Sequence, residues 1–183
     1  MTLSLTILNI IILSLGFVFK KNVLTTGSQK VLVIAVVSPR EVFLCSPAQF
    51  EEFSAQVVPA SFKAAAEADL VITARPGDLV LANRDGVWCR ARIIQLVEQD
   101  QDALVELLDL AITSTIRKEH LRVISPEVCV FPILAVRCSL QPSNRENGFE
   151  LDDENARLSK FVEYEEVNLT VTEDVHGNIL VQL

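Results

Sequence analysis

The sequence predicts a mainly β protein with a few helices, arranged as a small barrel inserted into a second β-lobe. Three observations carry that expectation. Between residues 75 and 126, short apolar runs alternate with turn residues at close spacing, the pattern of a small, strongly bent antiparallel barrel. Asp85-Gly86 stands between two of these runs and supplies the positive φ angles that a two-residue hairpin turn needs. Further apolar runs lie near both ends of the segment that begins at residue 28, placed to share a second barrel.

Each element follows in order. Residues 31–37 are a β-branched run closed by Ser38-Pro39, and 42–45 a second run closed by Ser46-Pro47; they predict two strands around a tight turn. Phe50, Phe53, Val57, Val58, Phe62 and Ala66 recur at close to the helical period, so helix is expected over 48–66, broken at Pro59. Strands are then expected at 79–82, 87–96, 103–110 and 112–121, with polar turns at 84–86 and 98–102. After 135–140, another strand, comes an acidic loop (144–154). A helical piece follows, with Ala156, Leu158, Phe161 and Val162 on its buried face. A terminal hairpin over 167–171 and 178–183 completes the chain.

Composition narrows the function. With 24 Asp and Glu against 16 Lys and Arg, the net charge of −8 argues against direct nucleic-acid binding, which draws on basic groups that release phosphate counterions. An acidic surface suits a basic ligand such as an Arg-rich peptide, or simply keeps the domain soluble. Cys45, Cys89, Cys129 and Cys138 form no C-x-x-C pair, and His120 and His176 stand far apart. No metal site, disulfide framework or cofactor is expected, and the thiols read as small buried hydrophobes in a reducing compartment. No Gly-rich phosphate loop and no nucleophile–base constellation is present, so no enzyme is expected.

Residues 2–19 carry no charged side chain and precede Lys20-Lys21. A run of this length can just span a bilayer, and the basic pair would keep the rest of the chain cytosolic. A membrane anchor, an appendage without a membrane role and a signal peptide stand as alternatives. Residues 1–27 form this apolar segment and linker, the linker itself extending over 23–30.

The string Gly77 … Asp85-Gly86-Val87-Trp88-Cys89-Arg90-Ala91 resembles the Tudor signature, whose second strand reads D-G-x-W-Y-R-A. Residues 106–112 occupy the place of x-F-x-D-Y-G-N, and Leu121-Arg122-Val123-Ile124 resembles the L-R-x-L that follows. Residues 132–140 are similar to the P-x-x-A-x-x-C-x-L strand of the extended form, and the flanks, with the closing V-x-L, resemble its staphylococcal-nuclease-like (OB) lobe. The resemblance implies an extended Tudor domain over 28–183, with the Tudor core at about 75–126 and the second lobe from 28–74 and 127–183, the two forming one rigid unit.

Family members typically bind dimethylarginine in peptides of Piwi-type Argonaute proteins and scaffold the piRNA machinery of germ granules. They hold the cation in a cage of four aromatic rings, with an Asn bonded to the guanidinium. Carried over by position, the cage here is Asn83, Cys89, Leu107 and Leu110, with Ile112 in place of the Asn. None is aromatic, and each lost cation–π contact removes about 0.5–2 kcal/mol. Trp88, Arg90 and Asp109 remain as skeleton: Trp88 packing between the lobes, Arg90 and Asp109 pairing across neighbouring strands.

The expectation is a non-catalytic scaffold of perinuclear germ granules in the cytoplasm, which binds a protein of the small-RNA pathway without a methylarginine cage. The alternatives are an Arg-Gly or dimethylarginine peptide reader, and an adaptor tethered to an organelle membrane through residues 2–19. Acidic clusters at 146–154 and 163–166 read as solvated faces or as an attractor for an Arg-Gly-rich tail, not as a nuclease centre, which would need a basic cluster on the phosphate.

Overall fold

Residues 31–35 are buried without interruption, as expected of a strand covered on both faces. They form the middle of β3 (Gly27–Ser38) in a computed structural model that describes residues 11–12, 18–19, 23–97, 101–141, 156, 158–174 and 177–182. The chain divides into two compact units, one of Asn22–Phe53, Leu110–Ile112 and Leu134–Leu183, the other of Met1–Lys21, Ser54–Asp109 and Thr113–Ile133.

In the first unit, β3 pairs antiparallel with β4 (Glu41–Cys45), through a register that shifts between Val33 and Ala35 and again between Val36 and Ser38. Such irregularities bend a strand and raise its twist. β4 pairs with β10 (Val136–Leu140), and β3 with β11 (Glu166–Glu173). β11 turns back into β12 (Ile179–Gln182), which runs parallel to β10 and closes a five-stranded barrel in the order β10-β12-β11-β3-β4.

Alternation along β3 splits its apolar run between two clusters. Val31 and Val33 pack with Val42, Leu44, Val171 and Val181. Leu32 and Ile34 pack with Phe43, Phe50, Phe53 and Leu134. α1 (Pro47–Glu52) starts at a capping box. Gln49 N–H donates to Ser46 Oγ at 3.2 Å, and Ser46 N–H donates to Gln49 Oε1 at 2.8 Å, satisfying two otherwise orphaned donors.

In the second unit, β1 (Ile11–Ile12) pairs antiparallel with β2 (Val18–Phe19). A π-helical turn, Phe53–Val57, leads into α2 (Val58–Glu67). β5 (Leu79–Arg84), β6 (Val87–Val97), β7 (Asp102–Leu107), β8 (Ile112–Arg117) and β9 (Leu121–Val123) form one sheet in the order β8-β7-β6-β5-β9, and α3 (Pro126–Cys129) follows. Its core gathers Ala65, Leu79, Leu81, Leu108, Val128 and Ile133, with Phe19 among them.

Several expectations are corrected. Pro59 does not break the helix: it lies in the first turn of α2, where the missing N–H costs nothing. The buried face of this stretch is Val57, Ser61 and Ala65, while Phe62 is 42% exposed. The expected single stripe fails because Phe50 and Phe53 pack in one unit's core and Ala65 in the other's. β7 ends at Leu107, not at 110, because Asp109 turns inward to an arginine. The strand expected over 112–121 is β8, a 3₁₀ turn (Lys118–His120) and β9. Phe161 is buried as expected, whereas Val162 is 47% exposed. The linker is partly core: Leu24 is buried and β3 begins at Gly27. The loops at 144–154 and 98–100 lie outside the described residues.

Among the described residues, no helix is long and apolar enough to cross a membrane. Most of the 2–19 run lies outside them, residues 11–12 and 18–19 excepted.

Candidate functional site

The β5–β6 hairpin builds one wall of the candidate site. Asp85 and Gly86 take φ angles of 52° and 87°, so both central residues of the turn are left-handed and the strands keep their natural twist. Asn83 Oδ1 accepts the Gly86 N–H at 3.0 Å. The turn thus occupies an acceptor of Asn83, the first of the residues that the resemblance would assign to a cage. Asn83 pairs in register with Trp88, and Ala82 with Cys89.

Cys89 is half-buried. Burial pushes its thiol up to about 11, the Asp109 carboxylate adds to the rise, and Arg84 partly offsets it. A protonated thiol offers neither a ring face nor a charge to a cation. Leu107 pairs with Ala91 and is fully buried. Leu110 lies in the turn after β7, before Ala111 at φ 54°, and Ile112 opens β8; both are half-buried. The structure places Asn83 and Cys89 on adjacent strands, while Leu107 sits in the interior.

Beside Asn83 lies an open groove of about 650 Å³. Its lining is the turn at 83–86, residues 114–117 of β8, and His120, with no Phe, Tyr or Trp. Arg84 sits 3.7 Å from Asp85 and Arg117 3.5 Å from Glu119, so the groove's cations are already paired. It is polar, and its hydroxyls and amide can bond a peptide backbone.

Behind the hairpin, the signature Arg90 is fully buried. Its Nε donates to Asp109 Oδ2 at 2.8 Å and its Nη2 to Asp109 Oδ1 at 2.5 Å. Nη1 donates to the carbonyls of Val128 (3.1 Å) and Phe131 (2.7 Å), and Nη2 to that of Pro132 (2.7 Å). One side chain therefore ties β6 to the turn after β7 and to the segment around α3. Asp109 stands in that turn rather than on a neighbouring strand.

Trp88 is half-buried on this unit's own cluster, with the Arg122 guanidinium 5.3 Å from its ring centroid. Sequence reasoning missed Arg122 as that ring's partner and missed Phe19 altogether. The L-R-x-L match flagged Arg122 without its role, and an uncharged run gives no cue to one buried ring.

Among the described residues, no group of three or more His, Cys, Asp and Glu is gathered to hold a metal. The four cysteines are free, with Cys45 and Cys138 pushed up to about 12 and Cys129 to about 11 by burial. Glu163, Glu165 and Glu166 are exposed, as expected of a solvated face, and the cluster at 146–154 lies outside the described residues.

The Tudor domain family model matches residues 28–142. No curated protein sequence matches at a significant level. Among solved structures, the extended Tudor domain of human TDRD1 bound to a symmetrically dimethylated peptide is similar at a TM-score of 0.73. It is 18% identical, over 90% of this chain and 83% of that one. An extended Tudor domain of mouse TDRD1, in complex with a MILI peptide containing dimethylarginine, gives 0.70 at 18% identity, over 90% and 86%. Extended-Tudor 10-11 of Drosophila melanogaster gives 0.67 at 16% identity, over 85% of this chain and 43% of that one. Matched by the family over more than half its length, the chain belongs to the Tudor domain family and has the fold of the extended Tudor domain.

Proposed function

We propose that this chain is a non-catalytic protein-interaction module, an extended Tudor domain over residues 28–183 that binds its partner without a methylarginine cage. One observation carries the reading. The five positions that correspond to the family's cage hold Asn83, Cys89, Leu107, Leu110 and Ile112, and the first of these spends its amide oxygen on its own turn. Without ring faces at these positions, the preference for a methylated guanidinium over a plain one has no physical source here. The groove beside Asn83, polar and without Phe, Tyr or Trp, suits the backbone and polar side chains of an extended segment.

The partner we propose is a protein of germline small-RNA silencing, a Piwi-type Argonaute or a companion, met at perinuclear granules in the cytoplasm. Support comes from solved relatives of this fold that were captured with dimethylarginine peptides of MILI and Aubergine. Those complexes equally favour the competing reading, a dimethylarginine reader. Titration of the full chain with an Arg-Gly peptide, plain and symmetrically dimethylated, separates the two. The proposal expects equal binding of both peptides or of neither, and a clear preference for the methylated one would overturn it.

A further inference from the structure

Arg90 leaves one surface of its guanidinium unspent. A guanidinium has five N–H donors, all in its plane, and the five hydrogen bonds to Asp109, Val128, Phe131 and Pro132 use them all. What remains are the two flat faces, which hydrogen-bond poorly and which an aromatic ring complements. The ring of Phe19 supplies one: its centroid lies 5.1 Å from Arg90 Cζ, and the side chain is 0% exposed. It packs in one cluster with Leu79, Leu81, Leu108, Val128 and Ile133.

We infer that the end of the apolar N-terminal run is an intramolecular docking element, with Phe19 seated on Arg90 as the lid of the Tudor unit's core.

Thermal unfolding of the full chain, followed by emission of its one tryptophan, tests the seat, because Trp88 packs against the same cluster. Phe19→Ala should lower Tm by roughly 10 °C. Phe19→Leu, which keeps most of the volume but loses the ring, should fall between it and the parent chain, and remains informative if the alanine variant does not fold. Val23→Ala, at a position 61% exposed, should melt like the parent. Equal melting of all the chains would overturn the inference. So would a Tm that climbs with protein concentration, which would put another copy's Phe19 in the seat.

Discussion

Arg90 and Asp109 meet through two parallel hydrogen bonds, Nε to Oδ2 at 2.8 Å and Nη2 to Oδ1 at 2.5 Å, with the side chains 0% and 3% exposed. A forked guanidinium–carboxylate pair at this depth must be complete, since either partner alone leaves a charge in the core. Arg90→Ala or Asp109→Ala should each cost about 3–5 kcal/mol in urea unfolding. Arg90→Lys should recover little, because an ammonium cannot reproduce the fork or reach three carbonyls at once. A lysine variant within 1 kcal/mol of the parent, roughly the worth of an exposed pair, would show that the node is not buried as described.

The β5–β6 turn gives a second, smaller prediction. Gly86 has φ +87°, and an added Cβ would meet nothing within 4 Å, so Gly86→Ala isolates backbone strain from steric clash. The expected loss is about 1 kcal/mol. Asp85→Val, a β-branched side chain at φ 52°, should cost more than Asp85→Asn, which tolerates the left-handed region. Denaturation midpoints of the three variants check the order.

Arg122 lies 5.3 Å from the Trp88 ring centroid and donates from Nη1 to the carbonyls of Glu119 and Leu121 at 2.8 and 3.0 Å. Arg122→Ala should uncover the indole, shifting its emission to the red, and cost about 0.5–1 kcal/mol. Unchanged emission would mean that another group covers the ring.

The chain's alkaline behaviour follows from its thiols. All four cysteines are raised from 9.0 in the folded state, to about 12 for Cys45 and Cys138 and about 11 for Cys89 and Cys129. Above pH 9 the unfolded chain gives up these protons and the folded chain keeps them, so the unfolded state gains. The stabilisation is fully present below pH 9 and is lost as pH rises through about 11–12. Urea midpoints should therefore fall between pH 8 and 11, and Cys45→Val should flatten the fall. In the folded chain all four thiols should react slowly with iodoacetamide at pH 8, because the thiolate is the nucleophile.

How much of this was legible beforehand depended on whether the signal was local. Asp85-Gly86 fixes its own turn through φ angles that few residues tolerate, so the hairpin could be read without a structure. The pairing of Arg90 with Asp109 was also legible, since two signature strings fixed both positions. Its setting was not: the apolar run from 103 to 110 reads as one strand, and nothing in it shows that the chain leaves the sheet after Leu107. The helical stretch misled for a related reason, because a periodic pattern assumes one core, and Phe53 and Ala65 belong to two. Phe19 was the least legible residue. An uncharged apolar run scores alike whether its last ring lies among lipids or on a guanidinium 71 positions later, and only the fold distinguishes the two. At the positions that the resemblance assigns to a cage the sequence carries no aromatic residue, whereas the bond between Asn83 and Gly86 and the burial of Leu107 required the structure.

The central claim concerns recognition without a cage, and the ratio of two dissociation constants tests it most directly. Calorimetric titration of the full chain with one Arg-Gly peptide, symmetrically dimethylated and unmodified, should give constants within about twofold of each other, or no binding of either. A preference for the methylated peptide above about tenfold, equivalent to ~1.4 kcal/mol and to at least one working cation–π contact, would contradict the account.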